Sequence, residues 1–454
     1  METLLRSVAD DFDVKIALTI AGSDSIGGAG IQADLKAFAS LGVHGCSAIS
    51  CITAQNTTKI TMVEAIRPDL LRAQIEAVLE DMTPGAAKTG AIFSAENVQV
   101  ISELLSDRKI PLIIDPVLVA TTGGSLAKED FPTALKKRLI PICALVTPNV
   151  AEAETLTGIR VADIEQAARA AEQLQSIGAS GVLIKGIENG DNVSDFLSMA
   201  DGSTQILTST RLPGEYHGTG CVLSALIAGH VSLGDDICTA VVKSRGAVFN
   251  AIENGRALGK GIKIIDPLDC IFLEATKGSI LDGLESLRAR LESEARIDLL
   301  PEVGSNLGHS IPNPRNESDI AAFTGRIVRE GKRVRVVGCP KFGASKHVAR
   351  IIVAASKQDP VVRSAMNIKY NERNLEACRK AGLTLSSFSR EKEPEGVSSM
   401  DWGTTESIRA FGSVPDAIWD AGGLGKEPMV RILGKDPEDV LQKVSRISQH
   451  LSRS

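Results

Sequence analysis

The sequence is poor in aromatic residues, and this scarcity argues against one class of function. Only two Trp and two Tyr occur among 454 residues, which leaves few side chains on which nucleic-acid bases could stack. The formal net charge of -6 also argues against nonspecific binding to nucleic acid. We therefore expect no nucleic-acid partner.

Paired cysteines and long apolar runs are also missing. The eight cysteines form no C-x-x-C pair, so neither a zinc site nor a disulfide framework is indicated, and reduced thiols fit the cytoplasm. No apolar run is long enough to span a bilayer. The acidic start of the chain, with Asp10, Asp11 and Asp13, is unlike a signal peptide. We predict a cytoplasmic protein with no membrane partner.

The length and the pattern of the chain indicate two α/β domains. A chain of 454 residues exceeds what one hydrophobic core usually serves. Strand and helix patterns alternate through the first part, which predicts a mostly parallel sheet with helices on both faces. We predict a first domain over 1–275, a helical connector over 276–298 and a second, smaller α/β domain over 299–454.

The predicted connector is a helical stretch that is rich in Leu, Glu and Arg. Its apolar positions recur at helical spacing, at Leu281, Leu284, Leu287 and Leu291, which is typical of one packed helical face. Leu300-Pro301 then begins a different composition.

A glycine turn organises the first domain. Gly218-Thr219-Gly220 can aim several backbone N–H groups at one point, and the apolar helical run that follows places them at a helix N-terminus, which favours an anion. We predict that Gly218, Thr219 and Gly220 bind phosphate, and that the same field stabilises the thiolate of Cys221. The simpler alternative is a turn before a core helix with a buried cysteine.

Polar residues at other predicted strand ends complete a pocket, since ligands of parallel sheets gather there. Asn149 and Glu152 open one helix, where Glu152 can hold hydrated Mg²⁺ beside phosphates; ordinary N-capping is the alternative. Lys185 is a cation at the end of a buried strand, where phosphate contact is favoured. After the glycine loop at 22–30, Asp34 can accept a hydrogen bond from an amine or hydroxyl; the alternative is a solvated Asp at the edge of a helix.

Residues 14 to about 270 resemble the hydroxymethylpyrimidine/phosphomethylpyrimidine kinases of the ribokinase-like superfamily. The resemblance rests on A-L-T-I-A-G-S-D-S-I-G-G-A-G-I-Q-A-D-L-K at 17–36, A-Q-N-T at 54–57, T-P-N-V-A-E-A at 147–153 and H-G-T-G-C at 217–221. It implies phosphorylation, with ATP and Mg²⁺, of the pyrimidine precursor of thiamine and then of its monophosphate. It implies that the pyrimidine is bound by Gly22, Asp34, Gln55 and Val117.

The resemblance also places Cys221 near the reacting hydroxymethyl group, as a catalytic residue. Many sugar kinases of this superfamily carry an aspartate base at this point of the turn. A fixed carboxylate would repel a phosphomonoester substrate, whereas a neutral thiol would not. Cys221 therefore suits an enzyme that performs two successive transfers.

The second domain offers another anion site. Arg326 can make bidentate contacts to a pyrophosphate, while Ser345 and His347 lie at the start of a predicted helix. Surface positions for Arg326 and His347 are an equally good interpretation of the residues alone.

Residues from about 299 to 450 look like the thiamine-phosphate synthase domain that is fused to this kinase in archaea. The matching runs include P-E-V-G-S-N-L at 301–307, F-G-A-S-K-H-V-A-R at 342–350 and W-D-A-G-G-L-G-K-E-P-M-V-R at 419–431. The resemblance implies that Arg326 and His347 take part in catalysis.

The sequence thus predicts a bifunctional enzyme of thiamine biosynthesis that acts on small molecules, and we expect a homo-oligomer. Its substrates would be hydroxymethylpyrimidine, its phosphate and pyrophosphate, and thiazole phosphate. Two alternatives stay open. The second domain could sense thiamine phosphate as a regulator, or the first could phosphorylate pyridoxal or a similar vitamin alcohol.

Overall fold

The computed structural model describes residues 14–118, 128–390, 393, 399–423 and 426–451. It divides into two compact units, Met1–Ile271 and Phe272–Ser454. Among the described residues, no helix combines the length and the apolar character needed to cross a membrane.

The first unit is built from eleven described strands and eight described α-helices. Its strands are β1 (Ile16–Asp24), β2 (His44–Gln55), β3 (Ile60–Ala65), β4 (Ala86–Thr89), β5 (Leu112–Ile114), β6 (Leu145–Val146), β7 (Gly181–Asn189), β8 (Asn192–Met199), β9 (Thr204–Thr210), β10 (Tyr216–His217) and β11 (Lys263–Ile264). Its helices are α1 (Gly30–Ser40), α2 (Pro68–Asp81), α3 (Ala95–Leu105), α4 (Phe131–Arg138), α5 (Val150–Thr157), α6 (Ile164–Ile177), α7 (Thr219–Ser232) and α8 (Ile237–Glu253).

The main sheet of this unit has the strand order β3-β2-β1-β4-β5-β6-β7-β8-β9. The six central strands pair in parallel in the order β2-β1-β4-β5-β6-β7, which confirms the predicted α/β fold with a mostly parallel sheet. Both margins of the sheet are antiparallel, which the sequence did not predict: β3 pairs with β2, and β8 and β9 follow β7. Parallel order puts the carboxyl ends of β1, β5, β6 and β7 at one edge, where a ligand pocket is expected.

Helices cover both faces of this sheet because its central strands are apolar on both sides. One face packs against α1, α7 and α8, through Phe38, Leu226 and Val241 among others. The opposite face packs against α2 to α6, with Ile75 and Phe131 in its core. Helix α7 is apolar around most of its circumference, so it lies deep in the unit and holds its N-terminus in a fixed place.

The second unit contains nine described strands and six described α-helices. The strands are β12 (Leu307–Ser310), β13 (Ile320–Phe323), β14 (Ile327–Glu330), β15 (Arg333–Val336), β16 (Pro340–Phe342), β17 (Ser364–Lys369), β18 (Leu385–Ser387), β19 (Ala417–Asp420) and β20 (Met429–Gly434). The helices are α9 (Asp269–Ser286), which begins just before the boundary, α10 (Arg288–Glu294), α11 (Lys346–Gln358), α12 (Glu372–Lys380), α13 (Ser399–Phe411) and α14 (Pro437–Gln449).

The sheet of the second unit has the order β16-β13-β12-β17-β20-β19-β18. Its neighbours pair antiparallel except β18 with β19. Helices α10, α12 and α14 contribute to the hydrophobic core on one face, and α11 and α13 to the core on the other. The unit is therefore α/β, as predicted, and β14 and β15 form a separate antiparallel hairpin.

The predicted connector at 276–298 is part of the second unit. Ile280, Leu284, Leu287 and Leu291 are buried in the same hydrophobic core as the sheet residues of this unit. The helical period of the leucines was sound evidence for a buried face, but the sequence did not reveal which core buries that face. The structure moves the boundary from 298 to 271.

Candidate active sites

A cavity of about 430 Å³ lies at the carboxyl edge of the first sheet. It is lined by ten of the residues predicted for this domain: Gly22, Gln55, Val117, Asn149, Glu152, Lys185, Gly218, Thr219, Gly220 and Cys221. Residues from distant parts of the sequence thus meet at one point, as the parallel order of the strands requires.

The glycine turn forms the N-terminus of α7. Gly218 is the N-cap with a φ of 88°, a left-handed conformation that glycine adopts without strain. A Cβ on Gly218 would lie 1.8 Å from the carbonyl oxygen of Gly28, and one on Gly220 would lie 3.3 Å from Lys185 Nζ. The absence of these side chains leaves room for the first N–H groups of α7 to meet an anion.

The structure does not support the prediction of a stabilised thiolate at Cys221. Burial raises the pKa of the Cys221 thiol to about 12, although Lys88 acts in the opposite direction. The thiol is therefore neutral near pH 7. This state agrees with the argument that a neutral group at this position admits an anionic substrate.

Asp34 lies outside the wall of the cavity, which corrects its predicted role in binding the pyrimidine. Its carboxylate is fully buried and accepts hydrogen bonds from Thr19 Oγ1 at 2.7 Å and from Lys88 Nζ at 3.0 Å. A buried ion pair with these contacts anchors α1 to β1 and β4. The helical pattern placed Asp34 beside the apolar face, but it could not reveal the partner on β4.

Lys185 lines the cavity as predicted, but it is paired. Its Nζ lies 2.9 Å from Asp115 Oδ1, and Thr147 and Ser224 also hydrogen-bond the Asp115 carboxylate. Burial alone would lower the pKa of Lys185, but Asp115 and Glu152 raise it above its ordinary value. The ammonium is therefore charged and firmly held at the floor of the cavity.

Asn149 and Glu152 form a capping box at the start of α5, so the alternative of ordinary N-capping is confirmed. Asn149 Oδ1 accepts from the Glu152 N–H at 2.9 Å, and Glu152 Oε2 accepts from the Asn149 N–H at 2.9 Å. Both residues also line the cavity. Burial raises the pKa of Glu152 to about 7, with Lys185 opposing and Asp115 adding to the rise.

Sequence reasoning missed other groups on this wall. Asp24 and His217 lie beside Gln55, with His217 Nε2 at 3.0 Å from both Asp24 Oδ2 and Gln55 Nε2. Arg245 of α8 also lines the cavity and donates to Asp195 at 2.8 Å. Asp24 and His217 stand inside the two glycine motifs, which could have flagged them, whereas nothing in the sequence around Arg245 points to a site.

The second unit has a cavity of about 280 Å³ that is lined by His347, Arg350, Arg390, Met400, Lys426, Glu427 and Met429. Arg326 and Ser345 lie outside this wall. Ser345 is the N-cap of α11 but makes no side-chain cap hydrogen bond. Arg326 donates to the Val303 carbonyl and has a φ of 67°, a conformation that costs energy outside glycine.

Positive charge surrounds His347. Burial lowers the pKa of His347, and the combined effect of Arg431, Arg390 and Arg326 lowers it more than Asp420 raises it. The resulting pKa is about 4. The imidazole is therefore neutral near pH 7, whereas its predicted role allowed for a charge. Its Nε2 is buried and has no hydrogen-bond partner within the described part of the chain.

Two arginines that sequence reasoning did not single out share one carboxylate in this region. Arg431 is fully buried, and its Nη2 donates to Asp420 Oδ2 at 2.6 Å. Arg390 donates to the same carboxylate, and both guanidinium groups lie against the Phe388 ring. One carboxylate cannot neutralise two guanidinium groups, so this region keeps a net positive charge suited to an anionic ligand.

Comparisons with known proteins assign a family to each part of the chain. Residues 24–266 match the family model of phosphomethylpyrimidine kinase, and residues 284–446 match that of thiamine-phosphate synthase ThiN. The bifunctional thiamine biosynthesis protein ThiDN of Methanocaldococcus jannaschii is 31% identical over 96% of this chain and 98% of its own. The chain belongs to this bifunctional family. It therefore carries a kinase domain followed by a synthase domain.

Further relatives match the kinase domain alone. The hydroxymethylpyrimidine/phosphomethylpyrimidine kinase of Synechococcus elongatus is 42% identical over 55% of this chain and 95% of its own. The pyridoxal kinase of Staphylococcus aureus, solved with AMP-PCP and pyridoxal, is 29% identical with a TM-score of 0.51, over 56% of this chain and 94% of its own. The second likeness shows that a kinase named for pyridoxal shares this fold.

Proposed function

We propose that the kinase domain transfers phosphoryl groups from ATP to hydroxymethylpyrimidine and then to its phosphate, and that the synthase domain couples the resulting pyrophosphate to thiazole phosphate. The products of the coupling are thiamine phosphate and pyrophosphate. The observation that carries the proposal is the cavity in which the N-terminus of α7, Lys185 and a neutral Cys221 meet. The family relationship supports the same assignment.

In the kinase domain, binding and charge stabilisation do most of the work. The N–H groups at Thr219, Gly220 and Cys221 bind the transferred phosphoryl group, and Lys185 stabilises the charge that develops on its oxygens. A phosphate ester bond forms between the substrate oxygen and the γ-phosphorus as the bond from that phosphorus to the oxygen bridging the β-phosphate breaks, and the hydroxyl proton passes to water or to a phosphate oxygen. The thiol of Cys221 stays protonated and lets the phosphorylated substrate approach for the second transfer.

Mg²⁺ fits the donor set of this cavity. Within the described residues, no group of three or more His, Cys, Asp or Glu side chains could hold a metal by itself, but Mg²⁺ takes only one or two carboxylates beside nucleotide phosphates. The buried carboxyl groups of Glu152 and Asp115 would hold it. Asp115 is close enough to Glu152 to add to the rise in the pKa of Glu152. When bound, the ion would neutralise charge on the phosphates.

In the synthase domain, the chain stabilises the departing pyrophosphate. The bond between the pyrimidine methylene carbon and the pyrophosphate oxygen breaks, and its electron pair leaves on that oxygen. The thiazole nitrogen then bonds to the same carbon. Arg390 in the cavity wall stabilises the departing charge directly, and Arg326 and Arg431, which are near enough to lower the pKa of His347, add to this stabilisation. Neutral His347, with its proton on Nε2, donates a hydrogen bond to the leaving oxygen.

Incubation of the purified full-length chain with hydroxymethylpyrimidine, thiazole phosphate and Mg-ATP tests the proposal. We expect thiamine phosphate to accumulate, and to form from supplied pyrimidine pyrophosphate when ATP is left out. Lys185→Ala should block only the first route, provided that its unfolding midpoint matches the wild type. Absence of thiamine phosphate with both substrate sets would refute the synthase assignment.

A second candidate function for the first domain is phosphorylation of pyridoxal. It is favoured by the likeness to the Bacillus subtilis pyridoxal kinase, 28% identical with a TM-score of 0.52 over 56% of this chain and 98% of its own. Parallel assays with pyridoxal and hydroxymethylpyrimidine under labelled ATP separate the two, and we expect the pyrimidine to have the higher kcat/KM.

We also propose a homo-oligomer in the cytoplasm. The exposed apolar side chains of Ile52 and Met62, on β2 and the edge strand β3, offer a surface for a second copy. The eight cysteines are all free thiols, which fits a reducing compartment. Light scattering of the purified chain tests the first point, and fractionation of cells tests the second.

A further inference from the structure

One ring nitrogen in the kinase pocket faces two polar groups. His217 Nε2 lies 3.0 Å from Asp24 Oδ2 and 3.0 Å from the side-chain amide of Gln55. The Gln55 atom that faces His217 is the amide nitrogen. A ring nitrogen either carries a proton and donates, or carries a lone pair and accepts. The protonation state of His217 therefore decides how the Gln55 amide can be oriented.

Asp24 settles which state this nitrogen adopts. The Asp24 carboxylate accepts backbone hydrogen bonds from Ile26 at 3.1 Å, Gly28 at 3.1 Å and Ala29 at 2.8 Å. Burial alone would raise the pKa of Asp24, but the hydrogen bonds from His217 and the backbone lower it below its ordinary value. An ionised carboxylate offers only lone pairs, so the facing Nε2 carries a proton.

The other ring nitrogen excludes a doubly protonated ring. His217 Nδ1 is buried and has no hydrogen-bond partner among the described residues, so a proton there would be a buried donor without an acceptor. A half-turn of the ring would put a carbon in place of Nε2 beside the Asp24 carboxylate, so the hydrogen bond to Asp24 favours the ring orientation described here. His217 is therefore the neutral Nε2–H tautomer.

The Nε2–H donates to Asp24 and can reach Gln55 only as a shared hydrogen bond, but an amide N–H facing it would find no lone pair, so the amide oxygen is the end that fits. The oxygen and nitrogen of an amide are nearly equal in size, and a half-turn exchanges them without moving other atoms. Thr53 gives an independent reason for the half-turn. Its hydroxyl donates to the Ser23 carbonyl at 3.1 Å, so only its lone pairs face the other end of the amide at 3.5 Å, where an N–H fits better than an oxygen.

We propose that Asp24 and His217 are positioning residues that fix the polarity of the Gln55 amide, with its oxygen toward His217 and an N–H toward the ligand. The ligand edge beside Gln55 must then offer an acceptor. The ring nitrogen of an aminopyrimidine is one, so this deeper assignment rests on the proposed function of the kinase domain. A ligand with a donor at that position is rejected because two N–H groups would face each other.

The tautomer can be measured directly on the full chain. Two-bond ¹H–¹⁵N correlation spectra of protein with ¹⁵N-labelled histidine distinguish Nδ1–H from Nε2–H rings, and His217→Phe assigns the signal. We expect His217 to be Nε2–H. His230 is the internal control, because its Nδ1 lies 3.0 Å from Asp235 Oδ2 and should carry the proton. An Nδ1–H or doubly protonated His217 would overturn the proposal, whatever the enzyme phosphorylates.

Kinetics give the second readout. His217→Phe keeps a planar ring without the N–H, so the KM for hydroxymethylpyrimidine should rise about tenfold, with a smaller effect on kcat. Gln55→Glu keeps an acceptor toward His217 but loses the N–H toward the ligand, and its KM should rise as much. His230→Phe, which breaks the matched pair outside the pocket, should leave KM unchanged.

An unchanged KM in folded His217→Phe protein would also overturn the proposal. If that variant fails to fold, the tautomer of the wild-type protein still decides, with the His217 signal assigned by elimination through variants of the other histidines. If the wild type phosphorylates no pyrimidine, the proposed function fails while the tautomer result stands.

Discussion

The two cavities differ in how the chain supplies charge. In the kinase domain, the Lys185 ammonium is paired with Asp115, Glu152 lies nearby, and the Cys221 thiol is neutral. In the synthase domain, Arg390 and Arg431 share a single carboxylate beside a neutral imidazole.

This difference matches the two reactions. A kinase receives a highly charged nucleotide, and the chain meets it with a helix N-terminus and one cation, beside the carboxyl groups that we propose for Mg²⁺. In the coupling reaction, a pyrophosphate leaves a carbon atom, and fixed guanidinium groups are ready to stabilise it without rearrangement. Experiments that affect one domain and spare the other test whether this division holds.

The largest effect is expected from cutting the chain at the boundary that the sequence predicted. A fragment 299–454 lacks Ile280, Leu284, Leu287 and Leu291, which are buried in its core. Each contributes about 2 kcal/mol, a total comparable with the whole stability of a domain, about 5 to 15 kcal/mol. We expect this fragment to be unfolded by circular dichroism and a fragment 267–454 to be folded. Equal unfolding midpoints for both fragments would contradict the assignment of α9 and α10 to this domain.

Arg326→Lys should lower the single-turnover rate of coupling about 100-fold, because lysine loses the two parallel donors of the guanidinium group. His347→Ala should also slow coupling, and His347→Gln less so. Kinase activity should survive in all three variants. Arg329→Lys, at an exposed arginine three residues away, is the matched control. A coupling rate indifferent to Arg326 and His347 would remove both from the mechanism.

The pH dependence of the two reactions should differ. Glu152 has a pKa raised to about 7, and its proposed metal-binding role needs the carboxylate form, so kinase kcat/KM should fall about tenfold for each pH unit below 7. His347, with a pKa lowered to about 4, stays neutral, so coupling should show no titration of this residue until pH approaches 4. Rate profiles of both reactions check this, and Glu152→Gln should lose the acid limb. An acid limb that persists in this variant would belong to another group.

The smallest effect concerns the choice between the two phosphorylations. Cys221→Asp places a carboxylate beside the incoming substrate, and should slow transfer to the phosphomonoester about tenfold more than transfer to the alcohol. Cys221→Ser, which keeps a neutral group of similar size, should leave the ratio of the two kcat/KM values near that of the wild type. An unchanged ratio in Cys221→Asp would refute the repulsion argument.

The first domain was largely predictable because its signals are local. Each buried strand ends in a short polar or glycine-containing segment, and parallel order then forces these ends together. The failures concern partners that are distant in sequence. Lys88 lies 54 residues from Asp34, and the Asp24–His217 contact spans 193 residues, so neither pairing was visible in the sequence.

The synthase site was harder to predict because its sheet is antiparallel and its charges come from several elements. The residues alone favoured anion-binding roles for Arg326 and His347 no more than ordinary structural positions, and only the family resemblance implied that the two are catalytic. Arg431 lies on β20 among apolar residues, and the sequence pattern of a strand does not indicate that a guanidinium group is buried there. Only the fold brings it to Asp420 and the Phe388 ring.

The contact between the two glycine loops limits how this protein can vary. A Cβ at position 218 would lie 1.8 Å from the backbone carbonyl oxygen of Gly28. A substitution elsewhere changes a side chain and cannot remove this carbonyl. Gly42 is left-handed too, with a φ of 72°, yet a Cβ there meets no described atom within 4 Å. In a saturation library, position 42 should accept asparagine, while position 218 is closed to every alternative and no second-site suppressor should reopen it.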